Sequence, residues 1–262
     1  MSLIVYEHPL SPYAQKVKIA LDEKAIPYST KLPVAIGSGQ PDLAFLKANP
    51  RGEVPALIDG EVSVFDSTII LEYIEDKWPT PALLPKSPEA RAQARTIEEV
   101  MDTSFEPINW GMGEIRWFKR AEGQRARAIE ARASAQARGL YEWLTRQLGD
   151  RQWFNGDSFG WADLSVVPYL NGARGLGIGP DIDSALGKWI ARANERPSVI
   201  KAAKAAADSI AGMANVDAAV KSGTFKREYR DHRLEWMIRS GGMEVVLEGL
   251  AANNIRFSNE LS

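Results

Sequence analysis

Leu3-Ile4-Val5-Tyr6 is an apolar run short enough for one buried strand. The turn His8-Pro9-Leu10-Ser11-Pro12 follows, and Tyr13, Val17, Ala20 and Leu21 then share one face of a helical period. Serine followed by proline at the first helical position is a helix-start signal. Pro27 to Val34 predicts a second strand between prolines, Gly37 to Gly39 a loop, and Pro41 to Ala48 a short helix that stops at Asn49-Pro50. Val54 to Ile58 and Val62 to Phe65, around Asp59-Gly60, predict a hairpin with a two-residue turn. Asp66-Ser67 caps a further helix whose apolar positions are Ile70, Ile74 and Trp78. Strand-helix-strand, helix, then hairpin-helix is the pattern of a small α/β domain with a mixed sheet.

Pro79 to Pro88 carries prolines at 79, 81, 85 and 88 and no periodicity, and reads as a linker. Helical patterns take over beyond it: Glu89 to Phe105, Gln124 to Leu148, Trp161 to Leu170, Ile182 to Ala193 and Ser198 to Met213. The expected division is an α/β domain over residues 1–78, a linker over 79–88, an all-helical domain over 89–213 and an extension over 214–262. The extension holds the basic run Lys226 to Arg233, interrupted by Glu228 and Asp231, which reads as a solvated helix face rather than a nucleic-acid surface. Leu234 to Leu250 is apolar enough to pack over an interdomain cleft as a lid, or against a partner subunit.

Composition narrows the chemistry. Apolar residues make up 45% and charged residues 25%, ordinary for a globular chain, and the net charge of −2 gives no field for nucleic acid or an anionic membrane. No run approaches a membrane span and no secretory leader is evident, so a cytoplasmic protein is expected. The absence of cysteine excludes disulfides, thiolate metal sites and an enzyme-borne thiol nucleophile. Two histidines, His8 and His232, leave little for a metal cluster or a Ser-His-Asp triad. Any reactive sulfur must arrive with a bound molecule. Ser11 is then of interest. As a plain helix cap it needs no function, but its hydroxyl also stands where unpaired N–H groups and the positive end of a helix dipole converge, a place that stabilises a thiolate.

Four segments in order resemble the cytosolic glutathione transferase superfamily, over roughly residues 1 to 213. Ser11 to Val17 is similar to its active-site turn in the serine form. Asn49-Pro50-Arg51-Gly52-Glu53-Val54-Pro55-Ala56-Leu57 is similar to its NPxGxVPxL segment. Phe65 to Ile74 is similar to its acidic-Ser helix start, and Phe159-Gly160-Trp161-Ala162-Asp163-Leu164 to the motif that opens a buried helix of the second domain. The resemblance implies a thioredoxin-like N-terminal domain followed by an all-helical one, and glutathione as co-substrate with no metal.

It further implies that Ser11 donates to the glutathione sulfur, that Pro55 is cis so that the Val54 backbone pairs with the cysteinyl unit, and that Ser67 and Asp66 hold the γ-glutamyl carboxylate and ammonium. Asp163 is assigned to structure, bonding back to its helix start. Glu53 departs from the family, which favours Gln or Lys there. A negative charge near the expected glycine carboxylate calls for compensation by Gln40, Lys31, Lys47 or Arg51. The expected glutathione set is therefore Gln40, Glu53, Val54, Pro55, Asp66 and Ser67. Leu10, Trp110 and Arg116 are expected to line the electrophile pocket, with Arg116 offering a cation to an anionic aromatic or a leaving group. The reading is a glutathione transferase acting on an apolar or aromatic electrophile, as a homodimer by analogy. The alternatives are a glutathione-dependent lyase or β-etherase, and a non-catalytic binding module.

Overall fold

The computed structural model describes residues 3–34, 37, 42–211 and 216–259. Strand β1 (Leu3–Tyr6) pairs in parallel with β2 (Tyr28–Lys31) and antiparallel with β3 (Ala56–Asp59), which forms a hairpin with β4 (Val62–Phe65). The sheet order is β2-β1-β3-β4, a small mixed sheet. Helix α1 (Pro12–Glu23) is the crossover between the two parallel strands, α2 (Leu43–Ala48) precedes β3, and α3 (Ser67–Lys77) follows β4. This is the thioredoxin-like unit.

The rest is helical. Helix α4 (Pro88–Val100) begins at the last proline assigned to the linker. The expected single helix to Phe105 instead passes into a π-helical turn at Met101–Phe105 and continues as α5 (Glu106–Arg116). Helices α6 (Gly123–Leu148), α7 (Trp161–Gly175), α8 (Ala185–Ala193) and α9 (Pro197–Ala211) complete the bundle. One apolar core runs through both units, from Val5, Val17, Leu57 and Ile70 to Ile97, Trp161, Tyr169 and Trp189. Asp163 does bond back: its carboxylate accepts from the N–H groups of Phe154, Asn155 and Gly160 and from the Trp189 indole, at 2.8, 3.1, 3.2 and 2.9 Å. Burial pushes its pKa up to about 6 against those bonds.

The extension is a folded appendage: α10 (Val216–Lys221), β5 (Arg227–Glu228), α11 (Asp231–Arg239), α12 (Met243–Ala251) and β6 (Ile255–Arg256). β5 and β6 pair in parallel around the two helices. A second core joins Trp236, Met237, Val245 and Ile255 of the extension to Ile108, Met112 and Ile129 of α5 and α6. Gly111 permits this docking, because a Cβ there would fall within the Trp236 ring. Within Leu234 to Leu250, it is Trp236, Met237, Val245 and Val246 that pack against α5 and α6, and the cleft is reached by residues of Phe225 to Arg233 together with Val216 and Arg256.

Candidate active site

A cleft of about 1110 Å³ lies between the thioredoxin-like unit, the α4–α5 arm and the extension. One wall is built from local features. The Ser11 side chain caps α1, accepting from the Ala14 N–H at 3.3 Å, and among the described residues its own hydroxyl donates to nothing. The turn before it is braced by the Leu10 N–H on His8 Nδ1 (3.2 Å) and by the Gln15 amide on the Pro9 carbonyl (2.8 Å). Burial lowers the His8 pKa, so this ring stays a neutral brace at ordinary pH.

The Val54–Pro55 bond is cis, and the Val54 backbone has no backbone partner among the described residues. Asn49 organises the preceding loop by donating to the Glu53 carbonyl (2.6 Å) and accepting from the Arg51 N–H (3.0 Å). Asp66 caps α3 through one carboxylate oxygen, which accepts from Thr68 and Ile69 at 2.9 and 3.3 Å. Its backbone stands at φ 73°, ψ 128°, a conformation that L-residues seldom adopt away from functional sites. Ser67 is buried at the first position of that helix.

A buried ionic cluster ties this wall to the helical unit. Lys16, fully buried in α1, reaches Glu98 at 2.6 Å and Asp102 at 2.5 Å. Thr68 donates to Glu98 (2.9 Å), and Tyr169 donates to Asp102 (2.7 Å). One ammonium serves two carboxylates, so burial, aided by Glu98, pushes Asp102 up to about 6. The π-helical turn brings the Asp102 side chain to this cluster and its carbonyl to the Tyr13 hydroxyl (2.9 Å).

The opposite wall is one that the basic run did not reveal. Arg227, Arg230 and Arg233 belong to no solvated helix face. Arg227 pairs with buried Glu114 at 2.5 Å and lies 3.8 Å over the Phe118 ring. Arg233 pairs with Glu106, which also meets His232 Nε2 at 3.1 Å. Although burial opposes it, Arg233 and His232 hold the Glu106 carboxyl down at about 2. Arg230 pairs with Glu53, and Ser258 donates to the other Glu53 oxygen at 2.6 Å. The cation paired with Glu53 is Arg230, from 177 residues away in sequence, while Arg51 adds its charge only from a distance. Arg51 instead stacks over Phe65 and Lys31 over Tyr6. The alternation of acid and base between residues 226 and 233 was the available signal, and its partners lay too far along the chain to be paired by pattern.

Of the expected residues, Leu10, Ser11, Glu53, Val54, Pro55, Asp66, Ser67 and Trp110 all line this cleft. Gln40 lies outside the described residues. Arg116 does not line it: its side chain pairs with Glu130 (2.9 Å) and bonds the Leu176 carbonyl on the outer side of α5. Gly113, Trp117 and Phe118 take the neighbouring cleft positions. Among the described residues no cluster of acidic, histidine or cysteine side chains has the makings of a metal site, and no helix is long and apolar enough to cross a membrane.

Two family models match, one described as Glutathione S-transferase, N-terminal domain over residues 5–82, and one as Glutathione S-transferase, C-terminal domain over residues 124–192. The maleylacetoacetate isomerase of Pseudomonas aeruginosa is 31% identical over 198 residues, spanning 69% of this chain and 85% of that protein. A glutathione S-transferase from Rhodospirillum rubrum superposes with a TM-score of 0.65 at 28% identity, over 75% of this chain and 90% of its own. One from Methylobacterium radiotolerans, solved in complex with glutathione sulfonate, gives 0.64 at 26% identity, over 78% and 95%.

Proposed function

Because this chain belongs to the glutathione S-transferase family, we propose that it binds glutathione in the cleft, ionises the thiol at the Ser11 turn and transfers the sulfur to an apolar or aromatic electrophile. The observation that carries this reading is the Ser11 hydroxyl itself. Its lone pair is engaged at 3.3 Å by the helix it caps, while its proton has no acceptor among the described residues. A thiolate seated there receives that O–H and the N-terminal potential of α1, and both lower the thiol pKa.

The remaining roles follow from the same wall. The Val54 backbone is open to strand-like pairing with the cysteinyl unit. The α3 N-terminus at Ser67 suits the γ-glutamyl carboxylate. Asp66 has one carboxylate oxygen without a partner among the described residues, for the ammonium. For the glycine carboxylate, Arg230 is the cation in reach: Glu53 orients it, and its remaining N–H donors can take a second carboxylate. Trp110, Trp117 and Phe118 form the aromatic side that receives the electrophile. Exposed Val62 and Ile69 on β4 and α3 give the expected homodimer a face.

The test is a titration of bound glutathione by thiolate absorbance, in wild type and Ser11→Ala. We expect a bound thiol pKa well below the free value of about 8.5, rising by at least one unit in the variant, with turnover of chlorodinitrobenzene falling about 10²-fold. Tight binding with an unshifted pKa would favour a carrier. No binding overturns the reading.

A further inference from the structure

Arg227, Arg230, Arg233 and Arg256 of the extension all line the cleft, and three of them spend terminal nitrogens on carboxylates: Arg230 on Glu53, Arg233 on Glu106 and Arg256 on Glu228. Arg227 is held differently. Its Nε donates to one oxygen of Glu114 at 2.5 Å, and the other Glu114 oxygen is filled by the Tyr229 hydroxyl at 2.9 Å. Glu114 is fully buried in α5, so this carboxylate anchors the guanidinium through Nε alone. The Phe118 ring centre lies 3.8 Å from the guanidinium carbon and covers one face. All guanidinium N–H groups point outward in the plane, so the edge formed by the two terminal nitrogens is what remains. Among the described residues those nitrogens have no hydrogen-bond partner. The position is close to the thiol turn. Burial does most to lower the His8 pKa, but Arg227 is among the charges that add to it, and His8 braces the turn through the Leu10 N–H. Aromatic surface adjoins it, since Phe225 lies parallel to Phe118 with ring centres 6.2 Å apart and Trp117 lines the same cleft.

Resting on the transferase reading, we propose that Arg227 is a specificity residue of this cleft, and that the electrophile is an aromatic carboxylate whose two oxygens pair with the Arg227 terminal nitrogens while its ring lies on the aromatic wall. The fork of a guanidinium matches the spacing of carboxylate oxygens, and the two parallel charged hydrogen bonds fix direction as well as strength. Nothing has to reorganise to make them. Glu114 and Phe118 already hold the plane of the guanidinium, and only 17% of the Arg227 side chain is exposed, so little water screens the pair. An arginine is charged at every working pH, so the site needs no titration to act. A carboxamide of the same shape offers one acceptor oxygen, sets an N–H against an N–H and carries no charge. The site should therefore reject it far more strongly than an apolar pocket rejects an isostere. The glycine carboxylate of glutathione is left to Arg230, which is the cation paired with Glu53.

The experiment measures kcat/KM of the full-length protein with glutathione on 4-chloro-3,5-dinitrobenzoate, on its carboxamide and on chlorodinitrobenzene, each divided by the rate of the uncatalysed reaction. In all three, sulfur bonds to the ring carbon, chloride leaves with the bonding pair and the thiol proton goes to solvent, so the probes differ only in what Arg227 can grip. The wild type should prefer the benzoate over the carboxamide by about 10–100-fold, mostly in KM. Arg227→Gln should abolish that preference. Because it leaves Glu114 buried without its counterion, Arg227→Lys is measured beside it. Lysine keeps a charge for Glu114 but has no fork, and the preference should fall several-fold. A wild type without the preference overturns the proposal, as does a preference that survives in both variants. If chlorodinitrobenzene is still conjugated in the first case, the transferase reading stands. A wild type that turns over none of the three overturns both.

Discussion

The two walls of the cleft are built by different physics. On the thioredoxin-like side Ser11 is set by the helix it starts, Asp66 by the two N–H groups it caps, and Val54 by the loop that Asn49 braces, all immediate neighbours. On the extension side each group is set by a partner over a hundred residues away. Arg227 is held by Glu114, His232 and Arg233 by Glu106, and Arg230 by Glu53. The first wall keeps its shape as long as α1 and α3 are helices. The second exists only while the extension stays docked on α5, and its charges are mutually dependent. A change on the first wall should therefore alter chemistry at constant fold, whereas a change on the second should alter stability and binding together.

The sharpest way to break that distinction is Glu106→Gln. It leaves buried Arg233 without its main counterion, and we expect a loss of about 3 kcal/mol at neutral pH, read by urea denaturation. The pH dependence carries a definite sign. The Glu106 carboxyl is held at about 2 in the fold against an ordinary 4.5, so its contribution is fully present above pH 4.5 and is lost as pH falls toward 2. The gap between wild type and variant should close over that window, and a gap that is constant with pH would contradict the assignment. Gly111→Ala comes next. The added methyl meets the Trp236 ring, and overpacking of this kind costs about 1–3 kcal/mol. Limited proteolysis should release the extension while the thioredoxin-like core persists. The smallest effect is expected from Arg230→Gln. Calorimetry should show about a tenfold weaker glutathione affinity, a change of about 1.4 kcal/mol, with the bound thiol pKa unmoved because Ser11 is untouched.

Much of the first wall was legible in advance, since caps, turns and hairpins are nearest-neighbour chemistry. Ser-Pro opening α1 and Asp66 capping α3 stand where the pattern put them, and the hairpin turn falls one residue later than expected, at Gly60-Glu61, because Asp59 still pairs with Val62. The helical half was legible as helices, but the π-helical turn at Met101–Phe105 was not, because one added residue in a turn leaves no mark on an apolar period. Arg116 failed for a related reason. It was assigned by its place near an aromatic segment, yet the helical period turns it away from the cleft toward Glu130. The basic run misled most, because charge in a sequence signals solvent unless a buried opposite charge is known to wait for it.

Taken alone, the sequence determined the class of chemistry. Without cysteine no enzyme thiol is available, and a serine at a helix start, a Val-Pro turn and an Asp-Ser cap stand in the order of the glutathione S-transferase family. The tertiary structure decided what faces those residues across the cleft. It brought an arginine to Glu53, a histidine to Tyr13 and a glutamate behind that histidine. The physical reason is range. Hydrogen bonds that cap and turn a chain act over three or four residues and so are written in local spelling. Pairing a buried charge depends on which surfaces the apolar core forces together, which no local spacing encodes.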